Sequence, residues 1–145
     1  MAGPFKRILC PIDFDDNSLA ALDYSADLAL NGDATIYVLH VVRAPAEPSE
    51  VPQEPPIPEW KMDARARLED AARTHLDGKV HYELIAKRGD PAPAIIETER
   101  ELDPDVVVMA THGRTGLSHL LMGSVAERVV RESPRPVLTL HPARA

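Results

Sequence analysis

Thr35-Ile36-Tyr37-Val38-Leu39-His40-Val41-Val42 is the stretch that decides the fold class. It is rich in β-branched and apolar residues and lacks a regular polar face. That is the pattern of a strand covered on both sides. Upstream, Ile8-Leu9-Cys10-Pro11-Ile12 is a second short apolar run, and Pro11 limits it because proline cannot donate to a ladder. Between them, Asp13 to Asn17 reads as a polar turn, and Asn17 or Ser18 caps a helix. Leu19, Leu22, Ala26, Ala29 and Leu30 then recur at helical spacing, up to the stop signal Asn31-Gly32.

Downstream, residues 44–58 hold six prolines and three glutamates, and no core can be built from them. They are expected to form an exposed, extended loop. Glu59 to Leu76 is helical by composition and is stopped by Gly78. Val80 to Ala86 alternates as a strand does. Gly89-Asp90-Pro91 opens a helix, with Asp90 as cap and Pro91 at the first position. Ala94, Ile95 and Thr98 face the core, and Leu102-Asp103-Pro104-Asp105 ends the helix. Val106 to Ala110 is another apolar strand, and Thr111 to Gly123 is a long glycine-bearing connection. Ser124 to Glu132 is a helix carrying Val125, Val129 and Val130. Val137-Leu138-Thr139-Leu140 is a last strand. Strands alternate with helices and mostly lack a polar face. The chain is therefore expected to form a doubly wound α/β domain, with a parallel sheet between two helical layers.

The 145 residues suit one domain, spanning 1–145. The chain has 16 Lys and Arg against 23 Asp and Glu, a net charge of −7. That argues against wrapping a nucleic acid, but not against a small anion held by backbone N–H groups. The single cysteine, Cys10, excludes an intrachain disulfide framework and reads as a buried apolar residue. The six histidines lack metal spacing, so no metal site is expected. No long apolar run follows the N-terminus and none reaches membrane-spanning length, so a soluble, cytoplasmic protein is expected.

In open α/β sheets, ligands sit beyond the carboxyl ends of the strands. Two such ends carry suggestive residues. Pro11-Ile12-Asp13 leaves the first strand. Met109-Ala110-Thr111-His112-Gly113-Arg114 leaves the fourth, and its connection closes on Gly123-Ser124 at a helix start. The glycines allow close backbone approach, the helix N-terminus attracts an anion, and Arg114 offers a forked cation. These would make a phosphate cradle, with Asp13 placed to accept from a ribose or a base amine. Against this, glycines before a helix often only turn the chain, and Ser124 can be a simple cap. His112 could contact a phosphate, but a loop histidine with no visible partner is more often structural or merely exposed. No Walker lysine follows these glycines, and no serine-elbow motif is present.

At these residues the sequence resembles the universal stress protein family. The family signature is Gly, two residues, Gly, nine residues, then Gly and Ser or Thr. Here Gly113 is followed by Arg114 to Met122 and then by Gly123-Ser124. Ala110 stands where the family has its first glycine, which places a methyl group beside the expected ribose. The resemblance runs from about Phe5 to Leu140, sparing the proline-rich loop. It implies a five-stranded parallel sheet of order 3-2-1-4-5, a homodimer, and ATP in the cleft, with any Mg²⁺ held mainly by the phosphates. Pro11, Ile12, Asp13 and Val41 would border adenine and ribose, and Met109, Ala110 and Gly113 would line the nucleotide. Arg114, Gly123, Ser124 and Val125 would approach the phosphates. Val137 to Leu140, the last strand, would be a sheet edge through which two copies pair. Function then follows from the bound state or from partners in stress response. The alternatives are a nucleotide-independent dimeric scaffold of the same family and a weak ATPase that hydrolyses by positioning alone.

Overall fold

The strands β1 (Arg7–Pro11), β2 (Thr35–Arg43), β3 (His81–Gly89), β4 (Val106–Ala110) and β5 (Val137–Leu140) form one parallel sheet of order β3-β2-β1-β4-β5. The helices are α1 (Asp16–Gly32), α2 (Glu59–His75), α3 (Pro91–Leu102) and α4 (Ser124–Glu132). The computed structural model describes residues 5–43, 58–112 and 122–141, without the side chains of Asn31 and Gly32. Residues 44–57 of the proline-rich stretch, and Gly113 and Arg114, lie outside the described residues.

The pleat of each strand explains why both faces are apolar. Ile8 and Cys10, Ile36 and Val38, and Val106 and Val108 point to one side, where they pack against Leu22 and Ala26 of α1 and Leu68 and Ala72 of α2. Their neighbours Leu9, Tyr37, Leu39, Val107 and Met109 point to the other side, against Ala92 and Ile95 of α3 and Ala126 and Val129 of α4. Each fully buried Leu, Ile or Val contributes roughly 1.5–3 kcal/mol relative to exposure.

Several local expectations change. Asp15, not Asn17 or Ser18, caps α1: its carboxylate accepts from the Ser18 N–H at 2.8 Å. The Ser18 side chain is engaged within the turn instead, accepting from the Asp13 N–H and donating to the Asp15 carbonyl, both at 3.2 Å. The helix continues through Asn31 and Gly32, and Asp33 takes the left-handed conformation that ends it (φ 52°, ψ 44°). A short polar side chain tolerates that region. Leu30 points outward, with 57% of its surface exposed. Asp90 stands at the N-cap of α3 but makes no side-chain capping bond, and the N-cap of α4 is Gly123 rather than Ser124. Val130 is exposed. β3 runs on through Lys87 and Arg88 to Gly89, because an edge strand can carry charges without burying them.

Candidate functional site

The chain proceeds from β1 outward to β2 and β3, then returns across β1 to β4 and β5. The order reverses at β1, and a crevice opens there at the carboxyl ends of the strands. A cleft of about 670 Å³ lies at this place. Pro11, Ile12 and Asp13 from the end of β1, Val41 from β2, and Met109 and Ala110 from β4 line it, with Gly123, Ser124 and Val125 at the start of α4. The fold thus gathers every predicted site residue that lies among the described residues. Gly113 and Arg114 fall outside them.

Each wall has a local cause. The Ile12 N–H donates to the Leu39 carbonyl at 2.8 Å, so β1 stays paired to β2 past Pro11 and the chain turns only at Asp13. The Asp13 carboxylate accepts from the Asp15 N–H at 3.2 Å, closing that turn. Asp15 sits beside it, and its carboxyl is raised above the ordinary range mainly by burial, with Asp13 adding to the effect against the Ser18 N–H bond. On the other side, Thr111 is tied to β5 by its N–H and its hydroxyl, both bonded to the Leu140 carbonyl. The Thr111 carbonyl accepts from the Gly123 N–H at 2.7 Å. That bond brings the two ends of the long connection together and sets the start of α4 against the end of β4.

The electrostatics favour an anion at the β4 side. Gly123, the N-cap, has no side chain with which to close the first-turn N–H groups of α4. His112 is 7% exposed, its Nδ1 lies 3.0 Å from the Thr111 hydroxyl, and its Nε2 is buried without a partner among the described residues. It lines the cleft, where the sequence left it between a phosphate contact and a structural or exposed loop histidine. Arg43 and Arg67 also line the cleft, as does His40. Sequence reading missed these three. Arg67 is one of many charged residues on a helix face, and nothing in its spacing distinguishes it. Among the described residues, no grouping of His, Cys, Asp and Glu suits a metal ion, and no helix is long and apolar enough to cross a membrane.

Known proteins resemble the chain in sequence and in shape. The family model described as "Universal stress protein family" matches residues 4–141. Universal stress protein MJ0531 of Methanocaldococcus jannaschii is 34% identical over 142 residues, spanning 94% of this chain and 82% of its own length. The solved structure of protein MJ0577 from the same organism superposes with a TM-score of 0.79 at 22% identity, covering 98% of this chain and 99% of that one. A universal stress protein solved in complex with cAMP superposes with a TM-score of 0.72 at 22% identity, covering 96% and 98%. Both superpositions bear on the fold, and the sequence matches settle the kinship: the chain belongs to the universal stress protein family.

Proposed function

We propose that the chain binds an adenine nucleotide, ATP with Mg²⁺ held mainly by its phosphates, and acts in stress response or signalling through the difference between its bound and free states. One observation carries this reading: the ends of β1, β2 and β4 and the uncapped start of α4 meet in a single cleft. The donor set fits the ligand. Ile12, Val41 and Met109 offer apolar surface to a base, and the Asp13 carboxylate can accept from ribose hydroxyls or a base amine. The first-turn N–H groups of α4 and the Ser124 hydroxyl would hold phosphate oxygens, joined by Gly113 and Arg114. The cAMP complex of a family member supports the choice of an adenine nucleotide.

In this reading the chain is one domain working in the cytoplasm as a homodimer. β5 is a sheet edge whose four side chains are all partly exposed, which suits edge-to-edge pairing. No residue is assigned a catalytic role; the nucleotide supplies the phosphoryl chemistry, and any slow hydrolysis would come from positioning.

The test is direct. Mass spectrometry of the denatured protein should release a copurified adenine nucleotide. Titration of nucleotide-free protein with ATP, ADP, AMP and GTP should give saturable heat. A folded protein with no heat and no thermal shift at millimolar ATP refutes the reading and favours the nucleotide-independent scaffold.

A further inference from the structure

The turn after β1 holds a column of packed side chains that the nucleotide reading leaves unused. The Phe14 ring packs against the His40 ring at a tilt of 54°, with centroids 4.5 Å apart. The Arg67 guanidinium, arriving from α2, lies 4.2 Å from the centroid of the same Phe14 ring. The column is held from below. His40 Nδ1 lies 2.8 Å from the Ile12 carbonyl, which only accepts, so this nitrogen carries the proton and the imidazole is fixed in orientation. Phe14 sits at φ 66°, a left-handed conformation uncommon for an aromatic residue. The bonds among Asp13, Asp15 and Ser18 hold the turn around it.

Two further facts give the column a direction. Arg67 and His40 line the cleft, whereas Phe14, on which the Arg67 guanidinium rests, is not among its lining residues. Among the described residues no carboxylate pairs with Arg67. The column also lies at the β1–β2 side of the cleft, whereas the anion-attracting start of α4 adjoins β4. β2 and β4 flank β1, so they are roughly 10 Å apart. That separation puts Arg67 at the base end rather than the phosphate end.

We propose that Arg67 is a specificity-determining residue: backed by Phe14, its guanidinium plane covers the face of the bound nucleobase and favours purines over pyrimidines. This rests on the nucleotide reading above. A planar cation stacks well on a π-face, and a purine offers the larger face. Phe14 holds the guanidinium in place beforehand, so less side-chain freedom is lost when the base arrives.

Calorimetry on the full chain tests this, with AMP, CMP and inorganic tripolyphosphate as probes of the wild type, Arg67→Gln and Arg67→Lys. The wild type should prefer AMP to CMP. Both variants should weaken AMP by about threefold to thirtyfold, narrow the AMP-to-CMP ratio, and leave tripolyphosphate unchanged. Phe14→Leu should reproduce part of the AMP loss with no change of charge. Arg67 is exposed, so its variants will fold even if Phe14→Leu does not. If Arg67→Lys keeps wild-type AMP affinity while Arg67→Gln loses it, a planar guanidinium covering the base is not what binds it and the proposal is wrong. Equal losses for tripolyphosphate and AMP, or no AMP loss at all, also overturn it. A wild type that binds AMP while its variants match it sinks this inference alone; a wild type that binds none of the probes sinks the nucleotide reading with it.

Discussion

Replacing Gly123 by aspartate should separate the stability of α4 from anion binding at its start. Gly123 is the N-cap at φ −58°, ψ 156°, an extended conformation that aspartate adopts without strain. An aspartate there would accept from the first-turn N–H groups that Gly123 leaves open. Relative to glycine, that cap contributes a few tenths of a kcal/mol, and the carboxylate gains about 0.3–1 kcal/mol from the helix dipole. The unliganded variant should therefore be about 0.5–1.5 kcal/mol more stable, raising Tm by roughly 2–5 °C for a chain of this size.

The same carboxylate would occupy the place proposed for the phosphates. At about 5 Å and an effective dielectric of about 20, one phosphate charge is repelled by about 3 kcal/mol, or roughly two orders of magnitude in Kd. Thermal unfolding without ligand, followed by calorimetric titration with ATP, reads both effects in one sample. Gly123→Ser adds a cap without charge and should fall between wild type and Gly123→Asp in affinity. Wild-type ATP affinity in Gly123→Asp would place the phosphates away from α4. A lower unliganded Tm would show that the open helix start does not govern stability as argued.

Three other outcomes are expected. Cys10 is fully buried, and desolvation pushes its thiol from 9.0 up to about 12. The native protein should therefore resist iodoacetamide at pH 8 while urea-unfolded protein reacts, and native labelling at the unfolded rate would contradict the burial. Because the folded value is the raised one, this thiol's contribution is intact below pH 9 and declines above it, so Cys10→Ala should flatten the fall in stability between pH 9 and 12. Asp105 accepts from the Lys6 and Arg7 N–H groups at 2.7 and 3.0 Å, and these bonds hold its carboxyl below 3.8. Its stabilisation is present above that ordinary value and lost as pH falls through the lowered one. Asp105→Asn should then lose about 1 kcal/mol at most at pH 7, since water screens the group, and in urea titrations the difference should shrink as pH falls from 3.8 through the lowered value. Leu138→Pro removes a backbone donor from edge strand β5 and should weaken the proposed homodimer; light scattering that finds the wild-type chain monomeric at micromolar concentration would refute the dimer itself.

The sequence by itself determined the class of fold, because that information is local and repetitive. Runs such as Thr35 to Val42 and Val106 to Ala110 are apolar at consecutive positions, and successive side chains of a strand point to opposite faces. Such runs need cover on both sides, and the intervening helical periodicities supply it. The glycine spacing around Gly113 and Gly123-Ser124 likewise marked a family and pointed to the ends of β1 and β4. Tertiary structure decided whatever depended on competition or convergence. Asp15, Asn17 and Ser18 are all able to cap a helix, and the hydroxyl of Ser18 is drawn instead to the Asp13 N–H and the Asp15 carbonyl. The alternating pattern of Val80 to Ala86 stops short of Lys87 and Arg88, yet β3 continues through them because it is an edge. Phe14, His40 and Arg67 come from a turn, a strand and a helix widely separated in the chain, and no spacing rule connects them. They meet only because the parallel order β2-β1-β4 brings these strand ends to one rim and α2 packs beside it, and a contact between distant segments is a property of that packing rather than of any window of residues.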